Sequence, residues 1–113
     1  MRILHFGPET AQPIELFESL KASSRELGAG SGEVHVHGVH FEPGGKIGRH
    51  PTGFAQLFLI VQGRGWAAGG DGERVSLEAG QGVFFERGEE HEKGSEEGAV
   101  AILVQVDELQ AAT

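Results

Sequence analysis

Histidines carry most of the chemistry that this 113-residue sequence offers. His50 follows a Pro-Gly-Gly turn at residues 43–45 and precedes the apolar run of residues 56–61, whose first residue is Gln56. His91 lies far downstream in an acidic segment. An imidazole can ligate a transition metal, relay a proton or hydrogen-bond a ligand. Side chains alternate along a strand, so Gln56, Phe58 and Ile60 share one face and Leu57, Leu59 and Val61 the other. An amide buried without partners costs roughly 1–3 kcal/mol. Gln56 is therefore expected to face a polar pocket inside a β-structure, with His50 close by.

Other reactive groups are weaker candidates. There is no cysteine, which removes thiolate chemistry and disulfides. No serine has a Gly-x-Ser-x-Gly setting, and Gly44-Gly45-Lys46 lacks the phosphate-loop pattern. Residues 33–42, EVHVHGVHFE, alternate as a strand with His35 and His37 on one face and His40 on the other. Histidines at this spacing either line a face or touch a ligand. Glu86, Glu89, Glu90, Glu92, Glu96 and Glu97 read as a solvated acidic loop. Trp66 suits a core or interface position better than a stacking position at a pocket mouth.

The elements that must position these residues are short strands. Residues 2–6 form a first strand ended by Gly7-Pro8. Residues 13–21 are compatible with a short N-terminal helix, since Ile14, Phe17 and Leu20 recur at helical spacing, and with an irregular strand. Residues 28–32 read as a glycine loop. Strands follow at 33–42 and 56–62, with a turn at 63–65. A hairpin built on Asp71-Gly72 leads to strands at 73–77 and 81–86. Residues 87–98 read as a charged loop, 99–106 as a closing strand and 107–113 as a frayed or helical tail. Seven to nine strands with frequent turns predict an antiparallel sandwich or barrel.

Length and charge bound the rest. One domain spanning 1–113 is expected, with a core at about 33–106. A net charge of −8 opposes binding to nucleic acid. No apolar run approaches membrane-spanning length, so no membrane association and a cytoplasmic location are expected. Leu57, Leu59 and Val61 need a cover. A second protomer would supply it, which predicts a homodimer, and residues 14–20 are the competing cover.

Two spaced motifs then carry a resemblance. Gly44, five residues, His50-x-Thr52, three residues, Gln56, six residues and Gly63 resemble the first motif of the cupin superfamily, with Thr52 in place of its second histidine and Gln56 in place of its glutamate. Gly80, five residues, Glu86-x-Gly88, two residues and His91 resemble the second, with Glu86 for its proline and Ser95 for its late asparagine. The resemblance implies an all-β fold, a small antiparallel jelly-roll β-barrel. It implies a divalent transition metal (Fe, Mn, Ni or Zn) held by His50, Gln56 and His91, with His35, His37, His40, Glu89 or Glu92 able to add a ligand. Thr52, Phe58, Trp66 and His37 are expected to line the pocket. Without metal, His50, Gln56 and His91 would form a hydrogen-bonded polar cluster. The functions implied are a metal-dependent enzyme acting on a small polar organic molecule, or a metal-free binding or sensor module for a sugar, carboxylate or metabolite. A sugar-nucleotide isomerase or epimerase ranks third.

Overall fold

The computed structural model describes residues 1–112 and is built almost wholly of antiparallel strands. Ten strands follow in chain order: β1 (Arg2–His5), β2 (Gln12–Pro13), β3 (Ser23–Ser24), β4 (Gly28–Phe41), β5 (Lys46–Pro51), β6 (Ala55–Ala68), β7 (Arg74–Glu78), β8 (Gln81–Phe85), β9 (Glu90–Gly94) and β10 (Ala99–Ala111). Eight of them form one folded sheet, and β2 and β3 form a small separate ladder. The order β1-β8-β6-β10-β4 makes one layer. The second half of β6 leaves that layer to pair with β7 and β9, and β9 pairs with β5, making the other. This is an antiparallel jelly roll, as the strand spacing predicts.

β6 joins the layers because it bends without breaking. Gly63 adopts φ +80°, and a Cβ there would lie 2.4 Å from the Gly98 carbonyl oxygen. Only glycine permits that approach. The expected turn at residues 63–65 is thus a bend inside one long strand, accompanied by a register shift between Val100 and Ala101 of β10.

The core between the layers holds Phe41, Phe58, Ile60, Ala67, Leu77, Val83, Phe85, Ala99, Ala101 and Leu103. Phe58 and Ile60 point into it, as their parity requires. Leu57 and Leu59 point outward into a second cluster with Leu4 and Phe84, packed by Phe6, Leu27, Val104, Leu109 and Ala111. The apolar face of β6 is therefore covered within the chain by β1, Leu27 and the end of β10. Val61 stays exposed. The argument for a second protomer from that face accordingly falls away, and so does the proposed cover by residues 14–20. Leu16, Phe17 and Leu20 project into solvent, with Phe17 89% exposed.

Four further expectations are corrected. No helix forms over residues 13–21, because Phe17, Glu18 and Lys21 take positive φ, which interrupts a right-handed helix. One short 3-10 turn occurs earlier, at Pro8–Thr10. Residues 28–32 are strand, since Gly28 and Gly30 lie opposite Ala111 and Leu109 across the ladder. A Cβ on Gly30 would meet the Glu108 carbonyl oxygen at 2.4 Å, so glycine there serves close strand approach, not a loop. The expected tail continues β10 to Ala111, and Thr113 lies outside the described residues. The charged loop at 87–98 contains β9, which carries His91.

Candidate functional site

The two histidines meet. β5 and β9 are antiparallel, and His50 is the direct cross-strand partner of His91. A register shift between Ile47 and His50 sets that pairing. The ring centroids lie 4.5 Å apart, and the two Nε2 atoms 3.1 Å apart. His91 is fully buried, its ring also edge-on to Phe85 at 4.5 Å. His50 is exposed.

The hydrogen bonds assign the protons. His50 Nδ1 lies 2.6 Å from the Gly48 carbonyl oxygen, which can only accept. A neutral His50 therefore carries its proton on Nδ1 and presents a lone pair at Nε2. The 3.1 Å contact then requires His91 Nε2–H to donate to His50 Nε2. That leaves His91 Nδ1 as a bare acceptor, buried and without a partner among the described residues. Burial, the positive charge of Lys93 and the neighbouring His50 lower the His91 pKa to about 3, so its ring is neutral at physiological pH.

Lys93 is the residue that sequence reasoning missed. It lies two positions after His91 on β9 and so shares its inward face. It is 2% exposed. Its Nζ donates to Gln56 Oε1 at 2.6 Å and lies 5.5 Å from the ring centroids of both Phe58 and Phe85. Burial lowers its pKa to about 8. The signal was present in Glu90-His91-Glu92-Lys93, which alternates once the segment is taken as a strand.

The remaining expected residues take other roles. The Gln56 amide nitrogen donates to the Phe54 carbonyl oxygen at 3.4 Å, while its oxygen faces Lys93. Thr52 is buried, and its hydroxyl donates to the Glu89 carbonyl oxygen at 2.6 Å, tying the end of β5 to the start of β9. Phe58 is a core ring beneath Lys93. Trp66 is buried under the Arg74 guanidinium, 3.7 Å from its ring, and is a packing residue. His37 is exposed on β4 and bonds Gln105, and His35 bonds Glu33. The Glu89 carboxylate receives the Glu86 backbone N–H and pairs with the Met1 amino group. Glu92 faces Lys46 at 4.0 Å. Ser95 donates to the Arg64 carbonyl oxygen and accepts from Gly98 N–H, which makes it a turn residue.

This donor set does not fit a tightly held divalent metal. Two imidazole nitrogens converge, but the Gln56 oxygen is engaged by an ammonium and the Thr52 hydroxyl is turned away. Among the described residues no three His, Asp or Glu side chains gather around one point. A ligating histidine normally donates its other N–H to a partner. His50 has one in Gly48, and His91 has none. Of the expected metal trio, His50 and His91 form a histidine pair and Gln56 pairs with Lys93.

Residues 37–106 match the family model described as the cupin domain. The chain belongs to the cupin family. Solved structures agree on the fold. A cupin-like protein from Thermotoga maritima aligns with TM-score 0.63 at 18% identity, covering 88% of this chain and 89% of its own. A cupin family protein with a double-stranded β-helix fold from Methanocaldococcus jannaschii gives 0.62 at 13% identity, over 84% and 90%. A conserved protein of unknown function from Streptococcus pyogenes gives 0.61 at 22%, over 71% and 72%. At these identities the likeness concerns the fold of the cupin domain alone. No curated protein matches the chain. Among the described residues no helix of the domain is long and apolar enough to cross a membrane.

Proposed function

We propose that this cupin domain is a metal-free binding module for a small hydroxylated molecule, taken up where His50 meets His91. One observation carries the reading: a buried donor and an exposed acceptor, the two Nε2 atoms, face each other at 3.1 Å. A hydroxyl group both donates and accepts. To enter, it breaks the direct 3.1 Å contact as the exposed His50 ring swings outward by about 2 Å, and it then accepts from His91 Nε2–H and donates to His50 Nε2. The Gly48 carbonyl oxygen holds the His50 tautomer that this requires. The low pKa of His91 keeps its ring neutral, which favours an uncharged hydroxyl over a contact that needs an imidazolium. Sugars and other polyols are the chemical class implied.

Ligand-observed saturation-transfer NMR with a panel of polyols, hydroxy acids and hydroxyl-free carboxylates tests this. Binding confined to hydroxyl-bearing compounds and lost in His50→Ala is expected. Equal binding of the hydroxyl-free compounds, or undiminished binding by the variant, contradicts it.

A further inference from the structure

Lys93 presents a problem that the histidine pair does not explain. Its ammonium lies inside the domain, 2% exposed, and no carboxylate pairs with it among the described residues. Its partners are one neutral amide oxygen and two aromatic faces. A buried cation needs compensation, and an amide dipole with two ring quadrupoles supplies part of it. The amide comes from Gln56, the position at which the first motif has a glutamate. His91, the second of the two imidazoles that would hold a metal, lies two positions before Lys93 on β9.

We infer that the Lys93 ammonium is the resident cation of this domain, standing where a divalent metal would otherwise bind and excluding it. Charge supports the exchange. A divalent ion beside a carboxylate leaves one net positive charge, and an ammonium beside a neutral amide leaves the same. Position supports it as well. Lys93 and His91 project from the same face of β9, and the Phe85 ring contacts both. The Gln56 oxygen, the buried potential oxygen ligand of β6, is occupied at 2.6 Å. A second cation would have to displace the ammonium from this oxygen and tolerate its repulsion in a medium of low dielectric. This inference goes beyond the proposed binding of a hydroxyl compound and does not depend on it.

Zinc titration of chelator-treated protein tests the inference, read from the imidazole nitrogen NMR signals of His50 and His91. That readout separates the site from the surface histidines of β4. The wild type, Lys93→Met and the double variant Lys93→Ala with Gln56→Glu are compared. In the wild type the two signals are expected to stay in place up to an equivalent excess of zinc. Removing the like charge in Lys93→Met is expected to strengthen apparent affinity about tenfold or more. The double variant, which also restores a carboxylate, is expected to bind tightest, about 100-fold above the wild type or more. One zinc bound by the wild type at both histidines as tightly as by Lys93→Met overturns the inference. Should the double variant fail to fold, the single variant decides by the same comparison.

Discussion

Replacing Lys93 with methionine separates the cost of the buried charge from the value of its hydrogen bond. Burial takes the Lys93 pKa from 10.5 to about 8. At roughly 1.4 kcal/mol per pH unit, the charged form is disfavoured by about 3 kcal/mol relative to the unfolded chain. Methionine keeps much of the stem's packing and removes that cost. It also leaves Gln56 Oε1 without its donor, which costs about 1–3 kcal/mol. At pH 7 the variant is therefore expected to match the wild type or exceed it by up to about 2 kcal/mol. The pH dependence has a definite sign. Between pH 8 and 10.5 the unfolded lysine holds its proton while the folded one releases it, so wild-type stability rises with pH across that window. Above it, the neutral amine still donates to Gln56 without the charge penalty. Urea denaturation at pH 7 and pH 11 reads both terms. The wild type is expected to gain about 3 kcal/mol on Lys93→Met between the two conditions, and groups common to both proteins cancel. A stability difference that stays the same at both pH values refutes the reasoning.

Acid acts through His91. Its pKa falls from 6.5 to about 3, so the unfolded chain takes up this proton first and stability drops as pH falls through that interval. The loss is on the order of 5 kcal/mol, and His91→Phe is expected to flatten the slope in denaturation midpoints between pH 6.5 and 4. A slope unchanged in the variant contradicts the assignment. Gly63→Ala is expected to cost more than about 2 kcal/mol by urea titration, because it combines positive φ with a clash on the Gly98 carbonyl oxygen. A loss below 0.5 kcal/mol, by order of magnitude, would mean that β6 can bend elsewhere.

Local pattern carried the strands and the meeting of the histidines. The alternation of residues 34–41 and the parity of Gln56, Phe58 and Ile60 are properties of the chain itself; the structure keeps the first as strand, with residues 34–38 exposed, and the second as an inward face. Motif spacing placed His50 and His91 together because it encodes the register of β5 against β9. What escaped was set by tertiary pairing. Gly63 looks like a turn until the Gly98 carbonyl oxygen arrives beside it. The glycines of residues 28–32 look like a loop until the end of β10 packs against them. The cover over Leu57 and Leu59 comes from both ends of the chain, which no local window joins. Lys93 was hidden by its type. A lysine amid six glutamates reads as surface charge, and only the inward face of β9 turns it into the interior.

The imidazole protons are the most direct test of the site. Long-range nitrogen–proton correlation NMR at pH 8 reports which ring nitrogen of each histidine is protonated. A neutral His91 with its proton on Nε2, opposite a His50 protonated on Nδ1, is the predicted result. A cationic His91 at that pH, or one whose proton sits on Nδ1, would contradict the account.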